Sequence, residues 1–336
     1  MALALYAPGL GYYANGLRKF GTLPSSGSDF VTAPELSPLF GRALAVQVRQ
    51  ALQATGTSEV WEFGAGTGAL AHQLLAALGD EVERYTIVDL SGELRERQQH
   101  SLQACAPRVQ WASELPARLS GVVVGNEVLD AMPVKLLVRK GGQANGVWHE
   151  RGVVALGDGL GWEDRPTDLR PPVEIEGPHD ILTEIHPQAD AFVRTLADRL
   201  DRGAAFFIDY GFPEAEFYHP QRHMGTLMCH RAHKADTDPL ADVGLKDITA
   251  HVNFTGIALA AQEAGLATLG YTSQARFLIN CGVVGMMERE DLVTRATAAK
   301  LITEHEMGEL FKVIALSPQQ DWAPLGFAQG DRTHRL

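Results

Sequence analysis

The chain has 336 residues, 45% hydrophobic and 21% charged, with a formal net charge of −12; this is enough to bury one large domain or two unequal ones. The acidic balance argues against a general grip on nucleic acid or anionic lipid and suits a basic partner. Three scattered cysteines without a CxxC spacing argue against a disulfide framework, and neither a signal peptide nor a membrane-length apolar run is seen, so the expectation is a cytoplasmic protein without a membrane partner.

Residues 1–34 are rich in Gly, Pro and Tyr, as in Gly11-Tyr12-Tyr13. They read as an extended N-terminal arm or lid, either pinned by aromatic packing or closing its tyrosines over a substrate. A helix is predicted from about Ser37 to Thr55, because Phe40, Leu44, Val48 and Leu52 make one apolar stripe; Gly56 should stop it. Residues 60–63 then read as a strand that breaks into Gly64-Ala65-Gly66-Thr67-Gly68 and passes at once into a helix ending near Leu78. A glycine turn at a helix N-terminus lets the backbone approach a ligand and offers N–H groups to oxygen-rich ligands.

Tyr85-Thr86-Ile87-Val88-Asp89 reads as a second buried strand ending in an acid, with Ser91 able to cap the next helix. Residues 108–111 are a weak third strand and 121–125 a strong fourth, which runs into the polar loop Asn126-Glu127-Val128-Leu129-Asp130-Ala131-Met132-Pro133. Alternating strands and helices imply a doubly wound, mostly parallel α/β sheet. Residues 35–132 would be the first part of its core.

Residues 133–180 change texture and read as an inserted β-meander, with strands near 134–138, 147–151 and 153–156. The core should resume over 181–316, with a helix at 188–200 and a buried strand at 204–209 leading into Tyr210-Gly211. An irregular, His- and Asp-rich substrate-side region is expected at 212–255. A helix at 255–264, a strand at 267–272, one or two helices between 285 and 308, and a last strand at 310–316 complete the core. Residues 317–336 read as a frayed polar tail. His219, His223, Cys229, His230 and His233 match no common metal-ligand spacing, so no metal is expected.

The glycine turn has two readings. Gly64 to Ala69 can be scored as GxGxxA with Asp89 about twenty residues on, which is the dinucleotide fingerprint of a nicotinamide-dependent oxidoreductase. Alternatively GxGxG follows an acid, Glu62, and the Asn126–Pro133 loop lies at the carboxyl edge where open α/β sheets bind ligands. That combination favours S-adenosyl-L-methionine (SAM), with Gly64, Gly66 and Gly68 clearing its path and Asp89 accepting from both ribose hydroxyls.

Taken with Gly11-Tyr12-Tyr13, the 29–37 string DFVTAPELS, Glu62 to Gly68, Asn126 to Pro133, Ile208-Asp209-Tyr210-Gly211, Gly225-Thr226-Leu227 with His233, and the 247–254 string DITAHVNF, the sequence resembles the MidA family. These are class I SAM-dependent methyltransferases that include the mitochondrial arginine methyltransferase assisting respiratory complex I assembly. The resemblance implies a Rossmann-like sheet with its last strand antiparallel, SAM as cofactor, and a protein arginine in a basic segment as substrate, a respiratory complex subunit being the example it supplies. It implies Glu62, Gly64, Gly66, Gly68, Asp89, Ser91 and Asn126 around the cofactor. Glu127, Asp130, Tyr210, His251 and Asn253 are the candidate catalytic set, with Asp209 and Glu184 as further acids, because carboxylates clamp a guanidinium and localise its charge. A non-catalytic assembly factor that keeps the fold is the remaining alternative.

Overall fold

A computed structural model of the protein describes residues 1–15, 31–89, 92–141, 146–177 and 179–336. The arm contributes α1 (Ala2–Tyr6), followed by α2 (Ala33–Leu36) and α3 (Pro38–Thr55). Ser37 separates α2 from α3 and caps the latter: its Oγ accepts the Leu39 N–H at 3.3 Å, while Pro38 takes a first-turn position that needs no donor. Phe40, Leu44, Val48 and Leu52 are buried, as their spacing predicts, and Gly56 ends the helix at φ +62°.

The first half of the core is β1 (Glu59–Phe63), α4 (Ala69–Leu78), β2 (Arg84–Val88), α5 (Gly92–Ser101), β3 (Val109–Ala112) and β4 (Leu119–Asn126). An antiparallel sheet follows, made of β5 (Lys135–Arg139), β6 (Trp148–Leu156), β7 (Gly159–Pro166) and β8 (Ile181–Ile185), in the order β7-β6-β5-β8. The core resumes with α6 (Pro187–Arg199) and β9 (Leu200–Phe212). Next come α7 (Glu214–Phe217), the three-stranded sheet of β10 (Met228–Arg231), β11 (Lys234–Asp236) and β12 (Asp247–Thr249), the short β13 (Val252–Asn253), and α8 (Phe254–Glu263). The chain then runs through β14 (Ala267–Ser273), α9 (Gln274–Asn280), α10 (Val283–Met287) and α11 (Leu292–Ile302) to β15 (Phe311–Ser317).

The main sheet has the order β14-β15-β9-β4-β1-β2-β3, with β13 pairing with β9 off that path. Pairs from β3 to β9 are parallel, and β15, the last strand in sequence, is antiparallel to both neighbours. This is the Rossmann-like class I methyltransferase sheet that the sequence leads one to expect. Its two faces are separately covered. Along β4, Val122 and Val124 pack with Leu44, Leu74 and Phe206 from the α3/α4 side, while Val123 packs with Val193, Ile257 and Phe207 from the α6/α8 side. A strand buried on both faces reads as a continuous apolar run, which is why β4 and β9 stood out in the sequence.

Four expectations are corrected. Residues 148–156 form one strand rather than two, because Gly152 keeps its ladder place opposite Glu163. β7, β8 and α9 were not anticipated. The substrate-side region is not irregular throughout: β10 to β12 pair within it, joined by a hairpin turn with Ala232 and His233 at φ +50° and +59°. The tail is tied down: Phe327 is buried against Phe277, the Gly326 N–H donates to Gln47 Oε1 at 2.7 Å, and Arg332 pairs with Glu309 at 2.5 Å.

Candidate active site

The carboxyl ends of β1, β2, β4 and β9 open into a cavity of about 810 Å³. Glu62, Asp89, Asn126 and Tyr210 come to it from these four strands or the residue just beyond them. Gly64, Ala65, Gly66 and Thr67 line its floor. Gly64 sits at φ +61°, a conformation that disfavours a side chain, and a Cβ there would press on Val128 Cγ2 at 3.1 Å. Gly68 does not line the cavity; at φ +85° it starts α4, and a Cβ would meet Ser101 Oγ at 3.0 Å. Its role is packing beneath α5, which corrects its place in the cofactor set. Ser91 and residues 16–30 of the arm lie outside the described residues.

Glu62 is buried and accepts the Tyr85 hydroxyl at 2.7 Å. Burial pushes its carboxyl up to about 8, the Tyr85 hydrogen bond working the other way. Asp89 accepts from Gln98 Nε2 at 2.9 Å, and the same amide donates to the Gly66 carbonyl at 3.0 Å, tying the acid to the glycine turn. Asn126 is 8% exposed, and its Oδ1 is buried with no partner. An oriented carboxylate, a glycine cradle and an unsatisfied amide oxygen suit a ligand carrying a ribose diol and an amino-acid ammonium. Glu62, Gly64, Gly66, Asp89 and Asn126 could hold such a cofactor.

The loop after β4 forms the opposite wall. Glu127 has φ +55°, an uncommon conformation for a non-glycine residue, with its N–H donating to the Ile208 carbonyl at 2.9 Å. Its Oε1 accepts from Asn126 Nδ2 at 3.0 Å, and burial pushes the carboxyl up to about 8. Asp130 Oδ2 accepts the Tyr210 hydroxyl at 2.5 Å. Asp209 faces away from the cavity: its Oδ2 accepts the N–H groups of Val128, Leu129 and Asp130 at 3.1, 2.8 and 3.2 Å. His251 lines the cavity, stacked on Phe212 and edge-on to Tyr210, with ring centroids 5.2 Å apart in each pair. Burial, then the nearby Arg222 charge, pushes it down to about 4, so the ring is neutral at pH 7.

Two of the candidate residues, one amide and one acid, lie elsewhere. Asn253 is not in the cavity. It caps α8 by accepting the Gly256 N–H at 3.2 Å, and it lines a separate cleft of about 300 Å³. Glu184 Oε1 accepts the Thr226 and Leu227 N–H groups at 2.7 and 3.0 Å, so it holds the 225–227 turn.

Tyrosines of the N-terminal segment, which the sequence offered as a flap, form part of the wall. Tyr6 and Tyr13 stack 5.6 Å apart; the Tyr6 hydroxyl donates to the Ala131 carbonyl at 2.9 Å and that of Tyr13 to Asp247 Oδ1 at 3.0 Å. Residues 1–15 thus border the cavity, anchored where Leu5 and Tyr12 pack with Cys229 and Ile248. Glu35, Asp247 and His230 also line it. The strings containing Glu35 and Asp247 were conspicuous, but no local pattern places them at the carboxyl edge.

Fold and site together define a class I SAM-dependent methyltransferase. A family model described as an S-adenosyl-L-methionine-dependent methyltransferase matches residues 43–272. The chain belongs to that family, the MidA-like methyltransferases. The crystal structure of a Burkholderia thailandensis protein bound to S-adenosyl-homocysteine is 53% identical, with a TM-score of 0.94, covering 100% of this chain and 90% of that one. A native crystal structure from the same organism gives 51% identity and a TM-score of 0.89 over the same shares. Mitochondrial protein arginine methyltransferases named NDUFAF7 are more distant. The Caenorhabditis elegans homologue is 25% identical over 99% of this chain and 87% of its own length, and the human protein 27% identical over 95% and 79%. The cofactor is therefore SAM, and the nicotinamide alternative falls.

Proposed function

We propose that the protein N-methylates an arginine side chain in a basic segment of a protein substrate. The carrying observation is the set of acids that lines the cavity. Glu35, Glu62, Asp89, Glu127, Asp130 and Asp247 line it, and no Lys or Arg does so among the described residues. Glu62 and Asp89 lie on the cofactor side. Glu127, Asp130 and Asp247 remain for a cation on the substrate side. A guanidinium is a planar fork-shaped donor with a permanent charge and suits several fixed carboxylate oxygens.

SAM supplies an electrophilic methyl group, so the protein's task is to position the acceptor and stabilise charge. Asp89 would accept the ribose hydroxyls, and Asn126 Oδ1 a donor of the amino-acid part. Glu127 and Asp130 would fix the guanidinium, while the neutral His251 ring and Tyr210 form an uncharged wall beside it. Tyr6 and Tyr13 add aromatic surface to the lining and lower the local polarity, which strengthens each of these contacts.

The arginine reading is also supported by the relatives named as protein arginine methyltransferases, the NDUFAF7 proteins. A respiratory complex subunit is the candidate partner that the family resemblance suggests. The free thiols Cys105, Cys229 and Cys281 suit a reducing compartment such as the cytoplasm. Calorimetric titration of the S-adenosylhomocysteine-loaded protein with an arginine peptide and its citrulline counterpart tests the reading. The arginine peptide should bind at least about tenfold more tightly, with an affinity that falls with salt. Equal binding of the neutral peptide would overturn it.

A further inference from the structure

Asp130 is held differently from the other carboxylates of the cavity. Its N–H is one of three that Asp209 grips, so the loop carrying it is fixed. Its Oδ2 is occupied by the Tyr210 hydroxyl at 2.5 Å. Tyr210 is itself wedged edge-on between His251 and Phe311, with centroids 5.2 and 5.4 Å away. The remaining oxygen, Oδ1, is buried without a partner on a residue only 4% exposed. A buried acceptor left unmatched is costly, and in a site this constrained it marks where something else is to be met.

We propose that Asp130 Oδ1 accepts the proton that the substrate nitrogen sheds during methyl transfer, with Tyr210 as the positioning residue that orients it. The assignment rests on the nitrogen-acceptor reading above. A guanidinium and a methyl sulfonium become a methylguanidinium, a neutral thioether and one proton. The C–N bond forms as the methyl's bond to sulfur breaks, and that bond's electron pair stays on sulfur. The N–H bond breaks, its pair remains on nitrogen, and the proton passes to Asp130 Oδ1 and later to solvent.

The neighbours favour Asp130 for this task. Burial pushes it up to about 6, with the Tyr210 hydrogen bond and then the nearby N–H groups of Ala131 and Asp130 acting against the rise, so it is a better base than an ordinary carboxylate. Glu127, pushed up to about 8, is protonated in the empty cavity at pH 7. His251, pushed down to about 4, is the weaker base of the two remaining groups. The groups facing Asp130 are Tyr6 and Tyr13 from the arm, Glu127 from its own loop, and Asp209 and Tyr210 from β9; none is cationic.

The test compares wild type, Asp130→Asn and Tyr210→Phe. Calorimetry with S-adenosylhomocysteine should show all three binding within about twofold, which establishes that the variants fold and keep the cofactor site. Carbon-13 carboxyl NMR should show an Asp130 signal titrating near 6 in wild type, absent in Asp130→Asn and moved to higher pH in Tyr210→Phe, where the lowering hydrogen bond is gone. With an arginine peptide, Asp130→Asn should lose roughly 10²–10⁴-fold in kcat, a larger effect than the rise in KM from the lost contact to the guanidinium. The ascending limb of kcat against pH should shift upward in Tyr210→Phe. A carboxyl signal unmoved by Tyr210→Phe, or an Asp130→Asn enzyme that keeps kcat within about threefold, overturns the assignment. Methylation by wild type of oxygen or sulfur acceptors alone instead overturns the arginine reading on which it rests.

Discussion

Asp89 stands one residue beyond β2 and is tied to the glycine turn through Gln98, so its removal should separate cofactor binding from folding. Asp89→Ala is expected to weaken S-adenosylhomocysteine binding by about 10–100-fold, the cost of one charge-assisted acceptor. Calorimetry and a melting curve from the same sample would check both halves. Glu127 carries a pH prediction. Its folded-state value of about 8 lies above that of an unfolded glutamate, so its contribution to stability is full below about 4.5 and is lost as pH rises through 8. Glu127→Gln should therefore flatten the fall in melting temperature between those limits in the cofactor-free protein. An unchanged slope would show that the carboxyl is not perturbed.

Legibility differed from residue to residue. Glu62, Asp89, Asn126 and Glu127 could be read from sequence because each sits at the end of an apolar run, and strand ends share one edge of a parallel sheet. Glu35 and Asp247 could not, since they arrive from a helix and a small antiparallel sheet whose placement depends on long-range packing. Asn253 shows the opposite error: a polar residue in a distinctive string proved to be a helix cap, a job that Asn performs for local reasons.

At the scale of elements, the β4–β9 connection matters most. The loop over residues 128–130 directs three N–H groups at one oxygen of Asp209, so strand β9 fixes the geometry of a loop about eighty residues earlier in the chain. Asp209→Ala should strand these buried donors and cost roughly 1–3 kcal/mol, the penalty of leaving buried polar groups unmatched. Urea denaturation reads this as a lower midpoint at similar slope. The main-sheet strands were visible because continuous apolar runs are distinctive. By contrast, β7 has the sequence GLGWEDRP, which lacks a clean alternation because one side of the hairpin carries Trp162 and the ion-paired Asp164. Helix α9 follows β14 without a breaking residue, so the change of period was hidden.

The molecule as a whole closes through its last residues. The segment after β15 returns Phe327 to the α3/α9 core and Asp331 to β14, where it accepts the Tyr271 N–H at 3.1 Å. Its polar composition concealed this, because a single aromatic anchor carries little signal in sequence. Ending the chain at Ser317 should cost about 3–5 kcal/mol, comparable with deleting one large core side chain, and lower the urea midpoint. A truncated protein with wild-type stability would contradict the packing described here.

The same architecture gathers the acids of three strand ends, α2 and the substrate-side sheet around one cavity, and the account stands on what that cavity accepts. The most direct measurement is transfer of an isotopically labelled methyl group from SAM to matched peptides carrying Arg or Lys at one position, with the modified atom located by mass spectrometry. The account predicts label on an arginine nitrogen, reduced at least about 100-fold by Glu127→Gln, which removes a clamping charge. Label on lysine alone, or arginine methylation undiminished in Glu127→Gln, would contradict it.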